Sequence, residues 1–133
     1  MKKLMTILLG LFFIATIVNV ADAQQKTPEQ KAQTQTAVMT KSLTLNKDQS
    51  AKVHTIVLNI AEKIDAIHQN PNLESEAKQD QINDLRQERD QKFQKVLTAE
   101  QFKKYQELKP QWIKKNREQR KLKEQNAVGQ ENR

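Results

Sequence analysis

The chain has 133 residues, no cysteine, two glycines and three prolines, and its formal charge is +7. This length sets a limit of one domain. The absence of cysteine excludes a disulfide framework, a thiolate nucleophile and a cysteine-based zinc site. Two glycines are too few for a P-loop or a dinucleotide fingerprint, and tight β-hairpins also favour glycine. The composition therefore predicts a small, basic, helical protein, and nothing in it points to an enzyme.

The N-terminal segment has the pattern of an export signal. Lys2 and Lys3 precede an apolar run from Leu4 to Val18, and Ala21-Asp22-Ala23 follows. A basic start, an apolar stretch and small residues at the cleavage positions are typical of a secretory signal. The alternative is an uncleaved anchor, but the run has about 15 residues and a bilayer span needs roughly 20. We therefore expect residues 1–23 to be a signal peptide cleaved after Ala23, with no stable membrane insertion afterwards.

Residues 24–42 predict a weakly packed N-terminal helix. Thr27 is a suitable N-cap, Pro28 suits the first helical position, and Gln30 stands where a capping box needs it. The apolar face of this helix is small and consists of Ala32, Ala37, Val38 and Met39.

Residues 43–113 contain most of the apolar side chains and predict the main helical domain. Asn46 can cap a second helix, with Gln49 reaching back. Apolar residues then recur at spacings of three and four, at Val53, Ile56, Val57, Ile60, Ile64 and Ile67. Asn70-Pro71-Asn72 breaks the chain, and a third helix follows from about residue 73 to residue 96. Its apolar stripe is Ile82, Leu85, Phe93 and Val96. So short a turn predicts an antiparallel hairpin.

A fourth helix is predicted to start at Thr98, which can cap it with Gln101 reaching back. Pro110 lies inside this helix and predicts a kink or a break near Lys109.

The aromatic residues Phe102, Tyr105 and Trp112 are interpreted as core, and a patch that contacts clients or a partner chain is the alternative. Residues 114–133 read as a basic polar tail, and we expect about the last 15 residues to fray or to be disordered.

The predicted hairpin has too little apolar surface to be stable alone. The six Val and Ile side chains of the second helix contribute about 2 kcal/mol each when buried, whereas ordering each residue of that helix costs about 1.5 kcal/mol. The other helices and a second chain are expected to cover the exposed face. The sequence therefore predicts a homodimer.

Two short motifs connect the chain to a known family. Leu97-Thr98-Ala99-Glu100-Gln101 is an L-T-x-x-Q motif, and Leu45-Asn46-Lys47-Asp48-Gln49 is the same motif with Asn in place of Thr. Two such motifs around a long hairpin, behind a signal peptide, resemble the Spy/CpxP family of periplasmic proteins over about residues 43–113. The resemblance implies a four-helix protomer, a cradle-like antiparallel dimer and a periplasmic location.

The same resemblance implies a function. Members act in envelope stress as ATP-independent chaperones that bind unfolded or misfolded proteins. The alternative that the family offers is a regulatory or sensor partner of an envelope-stress or heavy-metal resistance system.

No side chain is set apart for catalysis or for binding a cofactor. His54 and His68 are the only imidazoles and lie about 21 Å apart along one predicted helix, so they cannot share a metal within one chain. The carboxylates alternate with Lys and Arg as ordinary surface pairs. We therefore predict no enzyme activity, no cofactor and no metal site, and we expect no nucleic-acid partner for an exported protein.

Two groups of basic residues leave alternatives open. Arg86 and Arg89 are interpreted as structural residues that pair with acids across the hairpin, with client contact as the alternative. A basic run follows the fourth helix at Lys114, Lys115, Arg117, Arg120, Lys121 and Lys123, interrupted among acids only by Glu118. A solvated helix end is favoured for this run, and docking on anionic lipid or acidic clients is the alternative. Leu122 alone is too little apolar surface for insertion.

Overall fold

The structure is a computed structural model and describes residues 26–131. These residues form four α-helices and no strand, namely α1 (Pro28–Leu43), α2 (Lys47–Gln69), α3 (Ser75–Val96) and α4 (Ala99–Glu131). The predicted all-α class with four helices is confirmed. The predicted signal peptide, residues 1–23, lies outside the described residues.

The predicted start signals each form a capping box. In α1 the Thr27 hydroxyl accepts a hydrogen bond from the Gln30 backbone N–H, and the Gln30 side chain accepts one from the Thr27 N–H. Asn46 and Gln49 repeat this exchange at the start of α2. Each box satisfies backbone donors that would otherwise lack a partner at the helix end. The third helix begins differently, because its N-cap residue Glu74 makes no side-chain capping bond.

Helices α1 and α2 pack antiparallel along the first half of α2. Close to the connecting turn, the hydroxyls of Thr40 and Ser50 lie 2.7 Å apart. Farther along, His54 Nε2 of α2 lies 3.4 Å from Glu29 Oε1 near the start of α1. The N-terminal helix therefore covers one side of the longer hairpin that follows.

Helices α2 and α3 form the predicted long antiparallel hairpin. Lys63 Nζ lies 3.4 Å from Glu88 Oε1 midway along it, and Lys78 donates to the backbone oxygen of His68 near the turn. Within the turn, the Asn72 N–H donates to the Asn70 side chain at 2.9 Å. Ion pairs this exposed contribute little, so the apolar stripe between the helices carries most of the stability.

The core lies where all four helices meet, at the end of the hairpin away from its turn. It consists of Ala32, Met39, Leu43, Leu45, Val53, Val57, Phe93, Leu97 and Tyr105. Ile60 and Ile82 are also buried, and they lie farther along the hairpin. Beyond them the apolar side chains of α2 and α3 are only partly covered, because α1 does not reach that far.

The face that α1 presents to the core differs from the predicted one. Ala32 and Met39 are fully buried as expected, but Ala37 is exposed and Val38 keeps 41% of its surface in water. Leu43, which ends the helix, is 4% exposed and takes their place. The spacing from Ala32 to Met39 to Leu43 follows one side of the helix, whereas Ala37 and Val38 lie to the side of it.

The fourth helix is longer and more regular than predicted. It runs unbroken through Pro110 to Glu131, so of the kink or break expected near Lys109 the break is wrong. Residues of the expected frayed or disordered end are helical as far as Glu131. Gln106, whose carbonyl loses the N–H of Pro110, is exposed, and water can take over that hydrogen bond. After Pro110 the sequence is rich in Lys, Arg, Gln and Glu, which are good helix formers.

The turn between α1 and α2 contains a strained residue. Thr44 has φ 53° and ψ 53°, in the left-handed region, and no other non-glycine residue from 26 to 131 has a positive φ. The conformation lets the N–H groups of Thr44 and Leu45 both donate to the Thr40 carbonyl and close the helix. A β-branched residue in this region costs about 1–2 kcal/mol.

We expect Thr44→Gly to stabilise the chain by about 0.5–1 kcal/mol, because glycine removes the strain but gains freedom when unfolded. Urea denaturation followed by circular dichroism measures the change. The matched control is Ser42→Gly, two residues earlier within the helix, which should destabilise by about 0.5–1 kcal/mol. A Thr44→Gly chain no more stable than the unmodified one would contradict the argument from strain.

Candidate functional site

The two motif glutamines, Gln49 and Gln101, contact each other where α2 and α4 begin. Gln49 Nε2 donates to Gln101 Oε1 at 2.7 Å, and Gln101 Nε2 donates to Gln49 Oε1 at 3.2 Å. Both side chains are partly buried at this contact. The sequence predicted each glutamine as a cap for its own helix, and the structure adds that the two caps bind each other.

Each glutamine also serves its own helix and the backbone of the opposite motif. Gln101 Oε1 accepts from the Thr98 N–H at 3.0 Å, and the Thr98 hydroxyl accepts from the Gln101 N–H. The remaining amide hydrogens reach carbonyls just before the other helix start, from Gln49 to Val96 at 3.2 Å and from Gln101 to Leu43 at 3.3 Å. The two helix starts are thus joined around an approximate two-fold axis.

The leucines that begin the two motifs anchor this joint in the core. Leu45 is 8% exposed and Leu97 is 7% exposed. A buried polar network stabilises a single arrangement only if its members are all hydrogen-bonded, and both glutamine amides meet that condition. The motif pair is therefore the contact that fixes α2 and α4 relative to each other.

A second polar cluster lies on α3 and α4 around Asp90. Tyr105 donates its hydroxyl hydrogen to Asp90 Oδ1 at 2.7 Å, and Lys109 pairs with Asp90 Oδ2. Arg89 Nη2 lies 3.1 Å from Asp90 Oδ1 and 3.3 Å from the Tyr105 oxygen. Sequence analysis did not distinguish Asp90 from the other carboxylates of α3, because two of its partners, Tyr105 and Lys109, lie on α4.

The surroundings of the Asp90 cluster set the charge states of its members. Burial alone would raise the pKa of Asp90, but the hydrogen bonds from Lys109 and Tyr105 and the charge of Arg89 outweigh it and hold that pKa below its ordinary value. Burial raises the pKa of Tyr105, Arg89 opposes this rise, and the bond to Asp90 adds to it. At neutral pH Asp90 is therefore an anion and Tyr105 a neutral phenol.

The two arginines of α3 have different environments. Arg89 is mostly buried, and its guanidinium carbon lies 5.8 Å from the centre of the Phe93 ring, in addition to its contacts with Asp90 and Tyr105. Arg86 is exposed and makes one long hydrogen bond to Asn83. Partial burial and then the like charges of Arg89 and Arg120 lower the pKa of Arg86, although a guanidinium stays charged. Arg89 thus has a structural role, but its acidic partner is its neighbour on α3 and does not lie across the hairpin. Arg86 has no carboxylate partner among the described residues.

The three aromatic residues of α4 divide between core and surface. Tyr105 is 1% exposed, and its ring meets the Phe93 ring edge to face at 5.3 Å. Phe102 and Trp112 lie on either side of it, at ring distances of 6.0 Å and 6.1 Å, and both are partly exposed. Tyr105 is therefore a core residue, and any direct contact with another molecule is open only to Phe102 and Trp112.

A shallow depression on the distal half of the hairpin combines apolar and charged side chains. Its apolar floor comes from Ala66, Ile67 and Leu85, and its rim comes from Lys63, Gln81, Asp84 and Glu88. Sequence analysis placed Ile67 and Leu85 in apolar stripes but did not distinguish this half of the hairpin as an uncovered surface. The signal was present in the short length of the first helix, which ends too soon to cover both halves.

Neither a metal group nor a membrane span is found in residues 26–131. No cluster of three or more His, Asp or Glu side chains in this region is arranged to hold a metal ion. His54 has one carboxylate neighbour, Glu29, and His68 is exposed. No helix within the described range is long and apolar enough to cross a bilayer.

The chain belongs to a family whose function is not known. Residues 19–105, more than half of the sequence, match the family described as a domain of unknown function, DUF4890. The match covers the first three helices, the paired motifs and the start of α4 up to Tyr105. No curated protein matches the chain, and no solved structure does.

We expect Gln101→Ala to destabilise the chain by about 2 kcal/mol, because it removes a cap and leaves Gln49 with an unpaired amide. The matched control is Gln30→Ala, which occupies the same position in a capping box that makes no bond to another helix. That change should cost only about 0.5–1 kcal/mol. Urea denaturation of both variants measures the difference.

The double variant Gln49→Ala/Gln101→Ala tests the exchange between the two glutamines directly. The double variant should lose less free energy of unfolding than the two single variants lose together, and the difference should be at least about 0.5 kcal/mol. Additive losses, or equal costs for Gln30 and Gln101, would mean that the two caps act independently.

Asp90→Asn should destabilise the chain by about 2 kcal/mol at neutral pH, because Lys109 and Arg89 lose their counter-charge. Asp84→Asn, an exposed change on the same helix, should stay within about 0.5 kcal/mol. Because the pKa of Asp90 is held below 3.8, its contribution is complete above that pH and is lost as the pH falls through the lower folded value. Denaturation at decreasing pH should therefore show the free energies of unfolding of the original chain and of Asp90→Asn converging below pH 3.8. A constant difference between them would contradict this prediction.

Proposed function

We propose that the protein is an exported, ATP-independent chaperone that binds unfolded or misfolded proteins of the envelope, as the Spy/CpxP family does. The observation that carries the proposal is the joined pair of L-T-x-x-Q-type helix starts, with Gln49 and Gln101 in mutual hydrogen bonds. This gives the two motifs a common structural purpose within one all-α chain. The N-terminal signal pattern supports the export part of the proposal.

The distal hairpin surface suits weak binding of many sequences. Ile67 and Leu85 lie partly exposed among charges of both signs, on Lys63, Asp84 and Glu88. Scattered apolar contacts gain energy from any apolar client segment. The surrounding charges keep the patch small and soluble, so a client that folds can leave. We assign client binding to this surface.

A second copy of the chain forms the rest of the proposed assembly. One chain leaves the distal half of the hairpin two helices thick, with Ile64 only partly covered. Side-by-side pairing of two hairpins would extend this surface into a shallow cradle. Sedimentation of the chain from Gln24 onward should give the mass of two chains, and a monomer at all concentrations would exclude the cradle.

The direct test is the aggregation of a chemically denatured enzyme, followed by light scattering. The chain from Gln24 onward should suppress aggregation near stoichiometric amounts without ATP. Failure at every ratio, at low and at moderate salt, would reject chaperone activity. If the chain instead binds a purified sensor domain, or releases heat when titrated with zinc, the regulatory alternative is favoured.

Paired variants locate the client surface. Ile67→Ser/Leu85→Ser should abolish most of the suppression, whereas Leu122→Ser/Val128→Ser should leave it unchanged. Leu122 and Val128 are exposed apolar residues of α4, at 59% and 62%, and neither lines the depression on the distal half of the hairpin. Circular dichroism and the mass of each variant establish that fold and assembly persist. Equal losses in both pairs would mean that general apolar exposure, not this surface, binds clients.

A further inference from the structure

The last part of α4 extends beyond the body of the protein as a free helix. From Ile113 to Gly129 every residue is exposed, and Trp112 is the last residue that packs against the core. At 1.5 Å per residue this arm is about 25 Å long. The family match ends at Tyr105, so the arm also lies outside the part of the chain that defines the family.

Basic residues occur on every side of this arm, and three of the six form a line along one face. Lys114, Arg117 and Lys121 follow one another at spacings of three and four, which places them on one face of a helix. Pro110 and Ile113 lie at the start of the same face, and together with Lys114 and Arg117 they line one shallow depression. Glu118 and Glu124 are the acidic residues of the arm, and Glu118 lies beside the stripe, four residues after Lys114 and three before Lys121.

The arm keeps a net positive charge, because its six basic residues outnumber its two acidic ones. Lys109, at its start, pairs with Asp90, but Lys114, Arg117 and Lys121 have no acidic partner among the described side chains. Arg120 follows Arg117 on the adjoining side, and its charge acts on Arg86 of α3, so the positive region reaches across to the body. Such an array attracts anions over about 10 Å at moderate salt.

We propose that this basic stripe docks the protein on an anionic lipid surface, with the arm lying along the headgroups and without insertion. The stripe is a line of exposed cations about 10 Å long from Lys114 to Lys121, and the depression that Lys114 and Arg117 line is open and shallow. A line of this kind suits phosphates that can move sideways to meet it. An acidic protein segment would instead gain specificity from enclosed, desolvated charge pairs. The apolar content beside the cations, chiefly Ile113 at 49% exposure, is too small to enter the hydrocarbon.

The experiment is co-sedimentation of the chain from Gln24 onward, which contains all the described residues, with vesicles of phosphatidylglycerol or of phosphatidylcholine. Binding should occur on phosphatidylglycerol alone and should fall steeply as salt is raised. Each basic residue near an anionic membrane contributes about a fivefold increase in partitioning. The triple change Lys114→Gln, Arg117→Gln and Lys121→Gln should therefore weaken binding by roughly 100-fold.

A matched triple change separates the stripe from net charge. Lys31→Gln, Lys41→Gln and Lys47→Gln remove the same charge from exposed positions on α1 and α2. This control should weaken binding by no more than about fivefold through the loss of general attraction. Equal losses in the two triples would overturn the proposal, and so would equal binding to both kinds of vesicle.

Two further measurements test the other occupants of the stripe. Polyglutamate that binds more tightly than the vesicles would assign the stripe to acidic polypeptides. A change in the sedimentation mass of the stripe variant would assign it to a second copy of the chain. All three stripe positions are exposed and unpaired in the described structure, so circular dichroism should show an intact fold. The proposal does not depend on chaperone activity, because it concerns neither the distal hairpin surface nor clients.

Discussion

Gln49 and Gln101 fix the arrangement of the four helices. Each side chain closes its own helix, bonds the other glutamine and reaches a carbonyl just before the opposite motif. These bonds join residues from opposite ends of the hairpin sequence, so they can all form only when α2, α3 and α4 are in place together. The small core beneath them, with two leucines from the motifs, would permit several packings without this constraint.

One face of α4 extends the constraint along the helix. Gln101, Tyr105 and Lys109 follow one another four residues apart, so all three point towards the body. The first binds the opposite motif, and the other two hold Asp90 of α3. Past Lys109 only Trp112 still touches the core, and the helix then continues alone. The same helix thus serves as a structural element in its first third and as a free surface in the rest.

Local signals in the sequence were sufficient for the helices but not for their contacts. Thr27, Asn46 and Thr98 announce helix starts because a cap depends only on residues three positions away. The bond between Gln49 and Gln101 and the cluster around Asp90 depend on the docking of α4, which no local pattern encodes. Of the kink or break that the local rule allowed at Pro110, the break does not occur, because an exposed helix of strong helix formers tolerates one missing bond. Val38 was misassigned because apolar character alone does not state which side of a short helix meets the core.

Trp112 is an intrinsic fluorescent probe of the position of α4. It is the only indole in the chain, and it rests against Tyr105 at the point where α4 leaves the body. Its emission therefore reports whether this helix is seated, a movement that leaves the total helix content almost unchanged. The ultraviolet circular dichroism signal would hardly change when α4 detaches. The wavelength and intensity of tryptophan emission would change, and no added dye is needed.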